Sequence, residues 1–512
     1  VVEKDGTAIG SNISAGGSLI VYTGGIAHGV NQETGSALVA NTGAGTDIEG
    51  YNKLSHFTIT GGEANYVVLE NTGELTVVAK TSAKNTTIDT GGKLIVQKEA
   101  KTDSTRLNNG GVLEVQDGGE AKHVEQQSGG ALIASTTSGT LIEGTNSYGD
   151  AFYIRNSEAK NVVLENAGSL TVVTGSRAVD TIINANGKMD VYGKDVGTVL
   201  NSAGTQTIYA SATSDKANIK GGKQTVYGLA TEANIESGEQ IVDGGSTEKT
   251  HINGGTQTVQ NYGKAINTDI VSGLQQIMAN GTAEGSIING GSQVVNEGGL
   301  AENSVLNDGG TLDVREKGSA TGIQQSSQGA LVATTRATRV TGTRADGVAF
   351  SIEQGAANNI LLANGGVLTV ESDTSSDKTQ VNMGGREIVK TKATATGTTL
   401  TGGEQIVEGV ANETTINDGG IQTVSANGEA IKTKINEGGT LTVNDNGKAT
   451  DIVQNSGAAL QTSTANGIEI SGTHQYGTFS ISGNLATNML LENGGNLLVL
   501  AGTEARDSTV GK

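Results

Sequence analysis

The sequence predicts an all-β fold, a parallel β-helix (solenoid) from which β-hairpins protrude. Three observations predict it: one short phrase returns at a nearly constant period, apolar and polar residues alternate within each copy, and glycine turns separate the copies. Self-similarity at a fixed period of about 18 residues is typical of a solenoid, because each unit buries its apolar side only against its neighbours.

The repeated phrase is GG-x-Q-x-V, written six times in succession between Ile219 and Val314. The apolar residues that close the copies lie 16 to 19 residues apart, namely Val226, Val242, Val259, Ile277, Val295 and Val314. A second phrase, A-x-x-[TSA]-x-[IL], lies between copies, as in AINTDI at 265–270. Apolar positions are two apart and helical spacing is absent, so the units are strands. Two or three short strands per coil would stack in parallel.

Composition agrees with a stack of strands. Of 512 residues 78 are Gly, and Pro, Cys and Trp are absent. Gly supplies corners with positive φ, whereas Pro would remove a donor from strands that are paired on both sides. The length would suggest several globular domains, but a solenoid extends without splitting. We therefore expect one continuous β-helical domain over residues 1–512, and we expect it to be a fragment of a longer chain because both termini fall within the repeat.

Charge and residue usage exclude several classes of function. The net charge of −20 argues against nucleic-acid binding and against a polybasic membrane surface, since phosphates would be repelled, and it suits a soluble secreted protein. Without Cys there are no disulfides, no Cys-ligated zinc and no thiol catalysis. No apolar run is long enough for a membrane helix. An acidic calcium site is the alternative use of the charge, but the sequence contains neither an EF-hand frame nor the GGxGxDxUx nonapeptide. No metal site is predicted.

A second sequence motif interrupts the regular repeats four times and predicts β-hairpins. These cassettes occupy residues 35–78, 129–173, 329–370 and 457–499. Each has an apolar strand that ends in Gly, then polar residues, then F-x-I, which is typical of a β-hairpin. The predicted hairpins lie near 48–59, 142–154, 340–352 and 470–481. All four phenylalanines of the chain share one slot in them, and we expect their rings to pack back onto the body: Phe57, Phe152, Phe350 and Phe479.

The tips of the predicted hairpins carry candidate binding contacts, which are Tyr51, Tyr148, Arg344 and Tyr476. An exposed aromatic ring at a tip is suited to contact a partner. The alternative is that each ring lies on its own hairpin, as cross-strand aromatic residues commonly do.

Stacking places equivalent residues above one another, so the sequence also predicts polar columns. An asparagine follows the last apolar residue of many coils, at Asn108, Asn184, Asn253, Asn289, Asn307, Asn417 and Asn436. Outward threonines recur in the glycine phrase, at Thr225, Thr258, Thr423 and Thr442. Asn253, Asn289, Asn307, Asn417, Asn436 and these four threonines are candidates for self-association. The alternative for the asparagines is an amide ladder with a purely structural role.

A glutamine column shares its slot with leucine. Gln224, Gln240, Gln257, Gln275, Gln293, Gln405 and Gln422 stand where other coils have Leu19, Leu94, Leu113, Leu312 and Leu441. Because both an amide and an aliphatic chain are tolerated, we expect this column to be a half-buried edge, and we assign it no function.

No catalytic constellation is predicted. The sequence has no G-x-S-x-G elbow, and its five histidines are scattered over different coil positions. We therefore expect no enzymatic activity, no catalytic residues and no cofactor. The alternative is a β-helical polysaccharide-degrading enzyme, which would need carboxylates gathered on one face.

The coil text (GGxQxV followed by A-x-x-T-x-I) and the cassette text (AFSI, NVVLEN, LTV) together resemble the passenger domains of self-associating autotransporters, the AIDA and TibA adhesin group of Gram-negative bacteria. The resemblance covers essentially the whole chain. It implies a right-handed β-helix that is exported through the outer membrane and displayed on the bacterial cell surface. The implied functions are autoaggregation, biofilm formation and adhesion to host cells.

The partners implied by this resemblance are the protein itself in trans on neighbouring cells, a host cell surface receptor and a heptosyltransferase during maturation. Members of the group carry O-linked heptose on Ser or Thr. The stretch STTSGT at 135–140 offers plausible acceptors.

Overall fold

The computed structural model describes residues 1–512, and they form strands and turns without any helix. The chain divides into two compact units, Val1–Thr250 and His251–Lys512. Each unit is a stack of coils, and each regular coil contributes one strand to each of three parallel columns, called A, B and C here. The predicted all-β, parallel β-helical fold with hairpins is confirmed.

One coil shows why the repeat folds in this way. Its column A strand is Glu74–Val77, in which Leu75 and Val77 point inward and Thr76 outward. The column B strand Ser82–Lys84 follows, and the chain then turns at Asn85, whose φ of 56° is left-handed. Asn adopts this conformation more readily than most residues. Each strand pairs in register with the same phrase of the next coil, so that Leu75 lies beside Leu94.

The first unit contains 34 strands. Column A, the glycine phrase, comprises Ser18–Ile20, Ala37–Asn41, Glu74–Val77, Lys93–Val96, Val112–Val115, Ala131–Ser135, Ser169–Val172, Lys188–Val191 and Thr205–Ile208. Column B comprises Thr7–Ile9, Ile26–Gln32, Asp47–Tyr51, Glu63–Asn65, Ser82–Lys84, Lys101–Asp103, Glu120–Gln126, Leu141–Thr145, Glu158–Lys160, Arg177–Val179, Lys194–Val196, Thr213–Asp215, Leu229–Thr231 and Ser246–Glu248. Column C comprises Asn12–Ile13, Val68–Leu69, Thr87–Ile88, Arg106–Leu107, Val163–Leu164, Ile182–Ile183 and Val199–Asn201. Two long strands join columns C and A, Asn218–Val226 and Asn234–Asp243, and two strands return from hairpins, His56–Thr60 and Ala151–Arg155.

The second unit repeats this plan. Its strands that join columns C and A are His251–Gln260 and Asp269–Ile277. Column A continues with Ser292–Val295, Thr311–Val314, Ala330–Thr334, Val367–Val370, Arg386–Val389, Glu404–Val407, Ile421–Val424, Thr440–Val443, Ala459–Ser463 and Asn496–Leu498. Column B comprises Lys264–Ile266, Thr282–Glu284, Leu300–Glu302, Ser319–Gln325, Arg339–Arg344, Ala356–Asn358, Ser375–Asp377, Thr394–Thr396, Val410–Asn412, Glu429–Ile431, Lys448–Gln454, Glu469–His474, Leu485–Thr487 and Glu504–Arg506. Column C comprises Ile287–Ile288, Val305–Leu306, Leu361–Leu362, Gln380–Asn382, Thr399–Thr401, Thr415–Ile416, Lys434–Ile435, Leu490–Leu491 and Thr509–Val510. The hairpin returns are Ala349–Glu353 and Gly477–Ser482.

The four predicted hairpins are present, and their return strands lie within column B. In the first cassette the return strand pairs antiparallel with the strand before it, Ile48 opposite Ile59, and antiparallel with the strand after it, Ile59 opposite Ala64. Column A passes the cassette without interruption, because Leu75 pairs directly with Ala40. Each cassette therefore puts three strands into column B where column A has one, so it adds two strands to column B and leaves column A unchanged.

Phenylalanine and glycine meet at the centre of each hairpin. Phe57 stands opposite Gly50 and has no exposed surface, and the other three phenylalanines are at most 3 % exposed. A Cβ on Gly50 would lie 2.1 Å from the carbonyl oxygen of Val30, a distance at which two atoms cannot coexist. The cassette sequence needs Gly at this position because the hairpin strand lies so close to the preceding coil. The burial of the four phenylalanines confirms the prediction that their rings pack on the body.

The glutamine column is buried, and the expectation of a half-buried edge is wrong. All seven predicted glutamines have no exposed surface. Their amides form ladders through the core: Gln275 Nε2 donates to Gln257 Oε1 at 2.9 Å, and Gln293 Nε2 donates to Gln275 Oε1 at 2.7 Å. The Ser286 hydroxyl also donates to Gln275 Oε1, at 2.8 Å. Burial without a partner would cost roughly 2 kcal/mol or more per polar group, and the ladder removes that cost.

Two ladders begin at a buried carboxylate. In the first unit Gln206 donates to Asp195, and in the second Gln405 donates to Glu387 at 2.8 Å. Every ladder amide donates toward the coil before it, so the first coil of a run needs an acceptor with no donor of its own. A carboxylate meets that need, which explains why an acidic residue replaces Gln at position 387.

Candidate adhesive faces

One side chain in each hairpin holds the tip onto the body. The position two residues after the hairpin glycine carries Asn52, Asn146, Arg344 and His474 in the four cassettes. Each bonds a backbone carbonyl at the next column B corner: Asn52 to Tyr66 at 2.7 Å, Asn146 to Asn161 at 2.9 Å, Arg344 to Asn359 at 3.1 Å and His474 to Asn488 at 2.6 Å. We call these four residues the tip anchors.

The three tip tyrosines remain exposed. Tyr51, Tyr148 and Tyr476 keep 62 %, 56 % and 61 % of their surface accessible. Tyr51 also lies edge-on to His56 of its own hairpin, with ring centroids 5.0 Å apart, and Tyr148 reaches the body, where its hydroxyl oxygen accepts from Asn184 Nδ2 at 3.1 Å. The rings thus contact their surroundings along one edge and present the rest of their surface to solvent.

Arg344 differs from the tyrosines with which it was grouped. Its side chain is 12 % exposed, because Nη1 bonds the Asn359 carbonyl and Nη2 contacts Asp346 at 2.6 Å. The guanidinium lowers the pKa of the Asp346 carboxyl. Arg344 belongs to the tip anchors, and no aromatic ring occupies the tip of the third hairpin.

The predicted asparagine column forms hydrogen-bonded ladders on the outside of the coils in the second unit. Asn307 Nδ2 donates to Asn289 Oδ1 at 2.8 Å, and Asn289 Nδ2 donates to Asp269 at 3.1 Å. A second run leads from Asn455 through Asn436 and Asn417, at 2.7 and 2.8 Å, to the Thr401 hydroxyl at 3.2 Å. Asn253 stands apart and accepts from Ser272 Oγ at 3.2 Å.

In the first unit the same column contains carboxylates that contact the hairpins. Asn108 donates to Asp89 at 2.7 Å, and the Asp89 carboxylate lies 2.6 Å from Lys53 Nζ of the first hairpin. Glu70 contacts the same ammonium at 2.6 Å. Burial alone would lower the pKa of Lys53, but the two carboxylates outweigh it and raise the pKa. The hairpin tips and the asparagine column therefore share one side of the coil.

The outward threonines lie in column A and form shorter stacks than predicted. Thr423 pairs with Thr442 in register. Thr225 pairs with Thr207 of the coil before it and with Ile241 of the coil after it, and Thr258 pairs with Gln276 of the coil after it. All four threonines are half-buried and face outward between two inward residues. Column A thus presents a mixed surface in which Thr recurs without forming a continuous ladder.

Only part of the STTSGT stretch is accessible. Thr136 and Thr140 are buried, and the Thr140 hydroxyl accepts from the Gly118 amide at 2.9 Å. Ser135 and Thr137 are half-buried and both bond Asp117. Ser138 is exposed at the turn. A modifying enzyme acting on the folded coil would reach Ser138 first.

The ionisable groups are spread over the surface. Four histidines each pair with one carboxylate, as His28 does with Asp47 at 2.9 Å and His251 with Asp269 at 3.0 Å, whereas His474 is a tip anchor. No group of three or more His, Cys, Asp or Glu side chains gathers in a way that could hold a metal ion. The chain also forms no helix of the length and apolar character needed to cross a bilayer.

Stacked coils with polar ladders and protruding tips are the architecture of a solenoid stalk, and comparison with known proteins defines its class. A family model, AIDA, described as "Adhesin of bacterial autotransporter system, probable stalk", matches residues 49–111, 143–204, 341–403, 405–458 and 471–512. Together these segments make up more than half of the sequence, so the chain belongs to the AIDA family of bacterial autotransporter adhesins. It is a cell-surface protein that is exported through the outer membrane. Four of the five matched segments begin within a hairpin.

A curated relative and a solved structure come from the same group. The autotransporter adhesin/invasin TibA of Escherichia coli O78:H11 is 57 % identical over 42 residues, which are 8 % of this chain and 4 % of TibA. The chain therefore matches only a small part of that relative's length. A crystal structure of a TibC-catalyzed hyper-glycosylated TibA fragment, 55–350, is 29 % identical with a TM-score of 0.33, covering 60 % of this chain and 98 % of the fragment.

Proposed function

We propose that this adhesin binds copies of itself on neighbouring cells and thereby causes autoaggregation and biofilm formation. The observation that carries the proposal is the outward asparagine ladder. A ladder asparagine such as Asn436 uses one N–H to reach the coil before it and one oxygen lone pair to accept from the coil after it. An amide has two N–H groups and two lone pairs, so half of its bonding capacity faces solvent. The same pattern returns on successive coils, ready to pair with a second copy.

The net charge requires such contacts to be short-ranged and numerous. Two copies that each carry −20 repel one another over about 10 Å at 0.1 M salt. A single amide contact contributes about 0.5 to 1.5 kcal/mol, which is too little to hold two molecules together. Many contacts in register between many displayed copies give avidity. We expect weak pairing in solution and strong clumping of cells, with the facing molecules antiparallel.

The test uses bacteria that display the chain. The triple variant N417A/N436A/N455A removes one ladder, and the control T394A/T396A removes two outward hydroxyls from column B. We expect the ladder variant to settle at least about tenfold more slowly and the control to settle like the wild type. Thermal melting of both purified variants checks that they remain folded. Equal settling of the ladder variant and the wild type would show that another face mediates association.

Adhesion to host cells is the second part of the proposal, and the hairpin tips are its candidates. Tyr51, Tyr148 and Tyr476 are the exposed rings furthest along the hairpins, and rings of this kind dominate many protein interfaces. Replacing all three by Ser should lower the attachment of displaying cells to an epithelial monolayer while settling is unchanged. Unchanged attachment would exclude the tips as the receptor contact.

We also propose that exposed Ser and Thr residues carry O-linked heptose, added by a heptosyltransferase during maturation. Ser138 is the favoured acceptor in its stretch because Thr136 and Thr140 are buried. Mass spectrometry of the chain co-expressed with a heptosyltransferase should find heptose on the tryptic peptide that contains Ser138 and lose it in Ser138→Ala. Modification of Thr136 instead would mean that the sugar is added before the coil folds.

A further inference from the structure

Three tyrosines stack on successive coils of the first unit. Tyr192 and Tyr209 lie face to face, with ring centroids 4.2 Å apart and planes 5° apart, and Tyr227 continues the stack at 6.3 Å. The Tyr209 hydroxyl donates to the Asp190 carboxylate at 3.2 Å and fixes the middle ring. One face of Tyr192 is thereby covered, and Tyr192 also lines a groove.

The groove arises because one corner of the solenoid is shorter than its neighbours. Two residues, Tyr192 and Gly193, connect column A to column B in this coil, whereas the coils on either side use four, 173–176 and 209–212. The short corner fits only because residue 193 is Gly, since a Cβ there would lie 2.3 Å from the carbonyl oxygen of Ser176. The result is a notch of about 540 Å³ with Tyr192 in its lining.

Among the charged side chains that line the notch, Lys194 has no ion-pair partner. The Arg177 guanidinium bonds Glu158 at 3.1 Å, and the other oxygen of Glu158 accepts from the Tyr153 hydroxyl at 2.8 Å. Lys194 follows Arg177 in register in column B, is exposed, lines the same notch and forms no ion pair. The notch is thus lined by an ammonium without an ion pair and by an exposed aromatic ring.

We propose that this notch, the Tyr192 groove, binds an acidic saccharide. The apolar face of a pyranose ring would lie against Tyr192 and its carboxylate would meet Lys194. Its hydroxyls would bond the polar turn formed by Asn156 and Ser157, which also lines the notch. Flat aromatic surface with a few convergent polar groups is what a concave binding site offers a small ligand. A monosaccharide or disaccharide fits the volume. The inference rests on the proposed adhesion to host cells and adds to it a ligand class and a site separate from the hairpin tips. It is independent of self-association.

The carboxylate could belong to a sialic acid or to a uronic acid, and titration distinguishes them. The purified 512-residue chain is titrated with 3′-sialyllactose, with a hyaluronan tetrasaccharide and with lactose as the neutral control. We expect one of the two acidic saccharides to bind at least about tenfold more tightly than lactose. Lactose binding as tightly as both acidic saccharides, or no binding by any of the three, would overturn the proposal.

Variants locate the site. Tyr192→Leu should abolish binding, Tyr192→Phe should retain it, and Lys194→Gln should bring the acidic saccharide to the affinity of lactose. Tyr227→Leu, at the far end of the stack, is the matched control and should bind like the wild type. Each variant is checked by thermal melting, so a loss caused by unfolding is recognised. Wild-type affinity in folded Tyr192→Leu would also overturn the proposal, whereas cell settling through the asparagine ladders would be unaffected by either outcome.

Discussion

Gln206 Nε2 donates a hydrogen bond to the Asp195 carboxylate at 2.6 Å, and this contact starts the glutamine ladder of the first unit. Gln224 donates to Gln206 at 2.9 Å and Gln240 to Gln224 at 2.8 Å. Asp195 is fully buried. Burial raises its pKa to about 6, although hydrogen bonds from Thr198, Gln206 and Ser214 oppose the rise. The ladder thus begins at a carboxyl group that keeps its proton to a higher pH in the folded protein than in the unfolded chain.

The stability of the first unit should therefore depend on pH between about 4 and 6. Below pH 4 the carboxyl is protonated in both states. As pH rises through 4 to 6 the unfolded chain loses this proton before the folded one does, so stability falls, by about 3 kcal/mol in total. Because Asn cannot ionise, the change in melting temperature caused by Asp195→Asn should be more favourable at pH 7.5 than at pH 3.5. At both pH values it also includes the cost of turning an amide N–H toward the donors around residue 195. Glu236→Gln, at an exposed carboxylate of the same unit, is the control. Equal effects of Asp195→Asn at both pH values would contradict the assignment.

A charged side chain at position 259 should lower the stability of the coil. This side chain has no exposed surface, so Val259→Asp would place an unpaired carboxylate among apolar residues at a cost of about 3 kcal/mol or more. Limited proteolysis should cut the variant between residues 250 and 270, where the wild type resists. Thr258→Asp, on the outward side of the same strand, should remain resistant. If both variants were equally resistant, the column would have to face solvent.

Each hairpin should depend on its glycine. Gly144→Ala would bring a Cβ to 2.1 Å from the Val124 carbonyl oxygen, so the hairpin strand would have to leave the coil. We expect a loss of about 3 kcal/mol and fast amide exchange over 141–155. Thr145→Ala, one residue further along, should exchange like the wild type. Slow exchange in Gly144→Ala would mean that the coil adjusts to the methyl group.

The tip anchors should be interchangeable among donors. Arg344→Asn supplies the amide that Asn52 and Asn146 use in other hairpins, whereas Arg344→Leu leaves the Asn359 carbonyl without its donor. We expect Leu to lower local stability by about 1 to 2 kcal/mol and Asn to restore about half of that. Amide exchange of residues 344–348 measures the difference. Identical protection in Leu and Asn variants would show that the anchor has no energetic role.

Clumping of displaying cells should strengthen as salt rises from 10 to 300 mM. Salt screens the repulsion between two chains of net charge −20 and affects neutral amide contacts little. The measurement is settling rate against salt concentration, with non-displaying cells as the control. Clumps that dissolve steadily over this range would show that ion pairs between molecules hold them together.

The sequence predicted the coils and hairpins well, because periods and phenylalanine slots are repeated signals. The alternation of residues also predicted that Gln275 points inward, but its polar side chain suggested a half-buried position. Its full burial is explained by the amide hydrogen bond to Gln257 of the coil before it. The tip anchors escaped prediction because Asn52, Arg344 and His474 share a position and a nitrogen that bonds a carbonyl, but they are three different residue types. The tyrosine stack could have been found, since Tyr192, Tyr209 and Tyr227 follow the coil period. The groove beside the stack was not predicted, because it depends on the short connection between columns A and B at Tyr192 and Gly193, and comparing equivalent positions of the repeat does not reveal that connection.

Column A is continuous across each hairpin. In the first cassette Leu75 pairs with Ala40 on one side and with Leu94 of the next coil on the other. A length of gene that encodes a hairpin, or one whole coil, can consequently be duplicated or lost by recombination between repeats, and the strands on either side will still find equivalent partners. Variants of such a gene should differ more in the number of repeats than in the sequence of each repeat. The displayed proteins of different lineages should therefore differ in length by whole coils.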